Sequence, residues 1–143
     1  MTGLTAALVL QAMLLAPGAQ PYSKAYANSV ESGRPMLVLV GAKWCPACVE
    51  MKKNVLPAMV ASGDLEGVEF AMVDADEQNS LASTLMRGDT IPQLILFEKT
   101  ATGWKRQQLT GKQARSRISG LIRPALTRYA SYLKQVSART VIE

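Results

Sequence analysis

The sequence predicts an α/β fold, a central mixed β-sheet of about four strands flanked by helices. Three observations predict it. Short apolar runs at residues 36–40, 68–73 and 93–97 alternate with segments of helical periodicity, the pattern of parallel strands joined by crossover helices. The third run is followed, across a short polar loop, by a returning strand at residues 104–109, which adds an antiparallel pair. A chain of 143 residues with 48% hydrophobic content is sized for one core and one domain.

The elements follow in order. Pro21 opens a helix that runs to residue 32, with Gly33 just beyond its end and Tyr22, Tyr26, Ser29 and Val30 on one side. Arg34 and Pro35 launch the strand Met36, Leu37, Val38, Leu39, Val40. After Cys48, the spacing of Val49, Val55, Leu56, Met59 and Val60 predicts a helix with one apolar face, which Pro57 must kink or restart and Ser62-Gly63-Asp64 end. The second strand leads into an acidic loop, Asp74-Ala75-Asp76-Glu77, and a helix over residues 79–87. Gly88 to Pro92 form a turn into the third strand, residues 99–103 a hairpin loop, and residues 112–138 a final amphipathic helix interrupted near Gly120 and Pro124.

The first twenty residues carry no charged side chain and are almost continuously apolar from Leu4 to Ala16, until Pro17-Gly18-Ala19 breaks the run. That stretch is short for a bilayer span and fits the apolar core of an export signal, although no Lys or Arg precedes it. The expected organisation is a signal or apolar segment over residues 1–20 and one domain over 21–143. The expected location is extracytoplasmic, periplasmic or secreted; a retained anchor and a cytoplasmic domain with an apolar N-terminal helix are the alternatives.

Absence of histidine excludes Ser-His and Cys-His catalysis and the usual zinc-hydrolase sites. The net charge of +5 comes mostly from the last third, where the basic residues are spread at roughly helical spacing and aromatics do not interleave with them in a nucleic-acid-binding signature. This reads as a solvated helix face, not a nucleic-acid surface. What remains is the pair Cys45 and Cys48, both cysteines of the chain, in Trp44-Cys45-Pro46-Ala47-Cys48 at the junction of strand and helix. Two thiols at that spacing can close a disulfide or share a metal. A structural disulfide would restrain little of the unfolded chain, and a zinc site would lack its other ligands. At a helix start, unpaired backbone N–H groups favour thiolate over thiol, which is the chemistry of a redox site.

From about Tyr22 to Val136 the sequence resembles the thioredoxin superfamily. The residues that carry the resemblance are the strand followed by Ala42-Lys43-Trp44-Cys45-Pro46-Ala47-Cys48, Asp74-Ala75-Asp76 after the second strand, and Thr90-Ile91-Pro92 entering the third. The resemblance implies a thioredoxin-like fold and disulfide exchange with protein thiols and disulfides, needing no cofactor beyond a redox-active Cys45–Cys48 disulfide and no metal. It implies Cys45 as nucleophile and the more exposed sulfur, Cys48 as resolving thiol, and a cis Pro92 that leaves the backbone of Ile91 open to a substrate peptide. Trp44 is expected to pack beside the dithiol and shield it, and Lys43, Pro46 and Ala47 to tune it, Lys43 either as a nearby cation or as a solvated side chain.

Two departures stand out. Leu39 occupies the place of the buried aspartate that assists the second cysteine of thioredoxins, so slower resolution by Cys48 is expected. Pro46-Ala47 replaces the Gly-Pro of thioredoxins, an order shared with glutaredoxins and more oxidising relatives. The expected function is a monomeric thiol:disulfide oxidoreductase, acting as a reductase fed by a membrane electron donor. The alternative is a binding or electron-delivery module dedicated to one partner complex.

Overall fold

The computed structural model describes residues 18–142, so the apolar N-terminal stretch lies almost wholly outside the described residues. The elements are α1 (Tyr22–Ser32), β1 (Met36–Gly41), α2 (Pro46–Glu50), a π-helical stretch (Met51–Val55), α3 (Leu56–Ala61), β2 (Glu69–Asp74), α4 (Asn79–Leu85), β3 (Gln93–Thr100), β4 (Gly103–Thr110) and α5 (Arg115–Ile142).

The sheet has the order β2-β1-β3-β4. Strands β1 and β2 are parallel, with Met36 opposite Glu69 and Gly41 opposite Asp74, while β3 runs antiparallel to β1, with Val40 opposite Gln93. The hairpin closes β4 onto β3 and is tighter than the sequence suggested, since Thr100 pairs with Gly103 and two residues turn the chain. One consequence fixes the site. The C-terminal ends of β1 and β2 and the N-terminal end of β3 lie at the same edge of the sheet.

Strand β1 is buried on both faces, which is why its sequence is apolar without alternation. Leu37 and Leu39 pack on one side with Phe70, Leu94 and Leu96 against Met51, Leu56, Met59, Ile118 and Ile122. Met36, Val38 and Val40 pack on the other with Ala71, Val73 and Ile95 against Ala25, Ala82 and Leu85. Leu39 is thus core, with no carboxylate in its place.

Three helices depart from the expected outline. In α1 the buried side chains are Ala25 and Ser29, while Tyr26 and Val30 of the anticipated apolar side are exposed, and Tyr26 stacks on Tyr22. The helix after Cys48 passes through the π-helical stretch before Pro57 enters the first turn of α3, so the extra residue absorbs the proline. The final helix is not interrupted: α5 runs unbroken with Pro124 inside it. Ile118, Ile122 and Ala125 are fully buried on its inner face, whereas Gly120 and Pro124 are exposed. The carbonyl that Pro124 cannot bond therefore lies on the solvent side, and packing of the inner face outweighs the propensity cost.

Candidate active site

The chain leaves β1 at Gly41 and turns through Ala42, Lys43 and Trp44 into α2. Cys45 is the N-cap of that helix, in extended conformation, and Pro46 takes the first helical position, where a missing N–H costs nothing. Its sulfur serves as the capping acceptor: the Cys48 amide donates to Cys45 Sγ at 3.3 Å. Cys45 and Cys48 are joined by a disulfide, with their Cα atoms 5.2 Å apart. Both residues are buried, Cys45 at 7% exposure and Cys48 at 3%.

The dithiol sits in a small apolar cluster of its own with Ala42, against which Ala47 and Ile91 pack. Ile91 precedes Pro92, and the bond between them is cis. Pro92 is buried, and its carbonyl accepts the Gly111 amide at 2.8 Å, while no backbone partner for Ile91 is present among the described residues. Sequence elements 43 residues apart, Cys48 and Ile91, thus meet because β1 and β3 end at the same edge of the sheet.

Lys43 takes the solvated one of its two expected placements, and Trp44 stands further into solvent than a shielding aromatic would. The indole is 69% exposed and does not bury the dithiol as a core aromatic would; its Nε1–H donates to Asp76 Oδ2 at 2.9 Å. Lys43 is solvated and donates to Glu77 Oε1 at 2.5 Å, and this bond and charge raise its pKa above the ordinary lysine value. The ammonium is held by a carboxylate instead of being directed at sulfur. Both tethers end on the loop after β2, which Asp74 organises by accepting the amides of Asp76 and Glu77, and which the Ala75 amide ties to Gly41 O at 2.8 Å. Pro46 is exposed beside the sulfurs. Glu50, the acid nearest in sequence to the dithiol, is turned to Asn54.

Gly41 is a site residue that sequence reasoning missed. A Cβ there would stand 2.9 Å from Cys48 Cβ and 3.1 Å from its Sγ, so β1 runs too close to Cys48 to carry a side chain at this position. A glycine closing a buried strand beside a reactive motif is the signal of such close approach. Among the described residues no cluster of three or more potential ligands is placed to hold a metal, and the two sulfurs are bonded to each other.

Comparison with known proteins decides the family, because the family model described as thioredoxin-like matches residues 19–99, more than half of the chain. The chain belongs to the thioredoxin-like family. A curated relative, the thiol:disulfide interchange protein TxlA homolog of Synechocystis, is 32% identical over 77 residues, which are 53% of this chain and 42% of that protein. The chain therefore spans less than half the length of the relative it matches. Among solved structures, a thioredoxin from Thermus thermophilus shares 27% identity at a TM-score of 0.62, covering 76% of this chain and 86% of that one. Trichomonas vaginalis thioredoxin matches at a TM-score of 0.59 with 24% identity, covering 74% and 92%, and shows the fold. The printed name of the Synechocystis relative describes thiol:disulfide interchange, and this thioredoxin-like chain carries a cysteine pair joined as a disulfide.

Proposed function

We propose that this thioredoxin-like domain reduces protein disulfides, with Cys45 as the attacking thiolate and Cys48 as the resolving thiol. The observation that carries the reading is the position of Cys45 at the N-cap, its sulfur taking the Cys48 amide, with Ile91 packed beside it. A thiolate at Cys45 attacks one sulfur of the partner disulfide and releases the other as a thiolate. Cys48, deprotonated, then attacks Cys45 Sγ, releasing the second partner thiolate and leaving the Cys45–Cys48 disulfide. Two electrons pass from the domain to the partner. A donor dithiol must return them.

Ile91 supports the binding half of this reading. It packs against the cysteine cluster and, among the described residues, has no backbone hydrogen-bond partner, so an extended peptide pairing with it would gain main-chain hydrogen bonds and bring its disulfide to Cys45. Trp44, exposed and held by Asp76, offers the flanking apolar surface.

What surrounds the sulfurs supports the reducing direction. One amide at 3.3 Å supports a thiolate at Cys45, Lys43 is engaged by Glu77, and Leu39 places no charge beneath the pair. An apolar pocket with so little support for a thiolate favours the neutral disulfide, which makes the dithiol a reductant. The site is complete within one chain, which supports a monomer. The apolar segment at residues 4–16 supports work outside the cytoplasm with electrons drawn from a membrane donor; among the described residues no helix is long and apolar enough to cross a membrane.

Insulin reduction by dithiothreitol tests the activity. The protein accelerates it, and Cys45→Ser removes the acceleration. Equal rates with and without protein would sink the reading.

A further inference from the structure

We propose that Gln93 is a positioning residue for substrate, closing the loop between α4 and β3 so that Ile91 is presented at a fixed place beside Cys45. The proposal rests on the reading of Ile91 as the residue that pairs with the substrate backbone.

Gln93 follows Pro92 and is a fully buried, uncharged polar side chain at the start of a strand whose next residues, Leu94, Ile95 and Leu96, are buried and apolar. Its amide is used on both sides. Oε1 accepts the Arg87 amide at 3.2 Å, and Nε2 donates to the carbonyls of Arg87 at 3.0 Å and Gly88 at 3.3 Å. Both N–H donors and one acceptor position are thereby filled by main-chain groups of residues that belong to no helix or strand. Arg87 and Gly88 are exposed, whereas the Gln93 side chain that pairs with them is fully buried; its amide is satisfied only by holding these loop groups, so the side chain substitutes for a backbone partner.

The consequence is geometric. Arg87 and Gln93 are the two ends of the loop, and the clasp between them leaves Gly88 to Pro92 as a closed arch whose far limb carries Ile91 against the dithiol. Gly88, at φ +75°, makes the turn on the opposite limb. Strand β4 reinforces the same limb: Arg106 donates to Leu85 O at 2.6 Å and Gln108 to Arg87 O at 3.3 Å. The sheet thus fixes Ile91 from the limb opposite to it.

The experiment compares Gln93→Met, which keeps the unbranched shape without the amide, with Gln108→Ala, a milder change in a less buried residue of β4. For Gln93→Met the KM for labelled insulin rises about tenfold, equivalent to about 1.4 kcal/mol, with kcat within about twofold of the parent. Turnover of hydroxyethyl disulfide, which has no peptide to pair, stays unchanged. Amide exchange quickens over residues 86–92 and not over β1. Gln108→Ala moves the same readouts in the same direction by a smaller factor, and it decides the matter if Gln93→Met does not fold. Unchanged KM and exchange, or equal losses on both disulfides, would overturn the proposal. A parent protein inactive on insulin would instead remove the reading of Ile91, and the exchange data would still report whether Gln93 closes the loop.

Discussion

Single atoms decide the behaviour of the site. Gly41 has no room for a side chain, because a Cβ would meet both Cβ and Sγ of Cys48 at 2.9 and 3.1 Å. Gly41→Ala must push Cys48 away from β1 or bend the strand, at a cost of about 1–3 kcal/mol by analogy with overpacked cores. The expected outcome is a lower denaturant midpoint together with slower release of a Cys45 mixed disulfide, followed by rapid quench and mass analysis. Unaltered resolution kinetics would show that the contact is incidental. The sequence made Cys45, Cys48 and Pro92 legible, since their chemistry is written in residue type and spacing. It did not reveal Gly41, Gln93 or the tether from Trp44 to Asp76. The tether spans 32 positions and no local pattern records it, while Gly41 and Gln93 act on residues seven and six positions away through tertiary geometry; of these only Gly41, a glycine closing a buried strand, carried a local signal.

At the level of elements, the long helix α5 is held to the sheet by more than its apolar face. Arg128 makes a two-pronged contact with Glu98 of β3, Nε to Oε1 at 2.5 Å and Nη2 to Oε2 at 2.9 Å. This hydrogen bonding, opposed by burial, holds the Glu98 carboxyl below its ordinary pKa. Because the folded value is the lower one, the unfolded chain binds the proton first as pH falls. The contribution is fully present above the ordinary glutamate range, about 4.3, and is lost as pH drops through the lowered folded value. Denaturant midpoints measured from about pH 6 to about pH 3 will fall in the parent and fall less steeply in Glu98→Gln, reflecting a pair worth about 1–3 kcal/mol. Parallel slopes would mean that other carboxylates govern the acid limb. The same helix shows where sequence reasoning about elements succeeds and fails. Every strand and helix was present in the predicted order, because buried runs and turn residues are local signals. The break expected at Gly120 and Pro124 was not, because Ile118, Ile122 and Ala125 anchor the helix on both sides of it, and tertiary burial overrode propensity.

For the whole molecule, redox state and stability are one quantity seen twice. Folding and disulfide formation close a thermodynamic cycle, so a fold that favours the Cys45–Cys48 disulfide has a more negative reduction potential than the unfolded pair and is more stable when oxidised. The surroundings described above favour the disulfide: Ala42, Ala47 and Ile91 make an apolar pocket, a single amide faces Cys45 Sγ, and the nearest lysine is bound to Glu77. A strong oxidant of this class has the reverse arrangement, with its reduced form stabilised. The two ends of that range, about −270 and about −120 mV, differ by about 7 kcal/mol, far more than the error of an unfolding experiment. The oxidised protein is therefore expected to unfold at a higher guanidinium concentration than the reduced protein, and glutathione titration is expected to place the potential near the more negative end. If the reduced form proves the more stable, electrons flow into this domain from its partners, and the protein is an oxidant built on the same site.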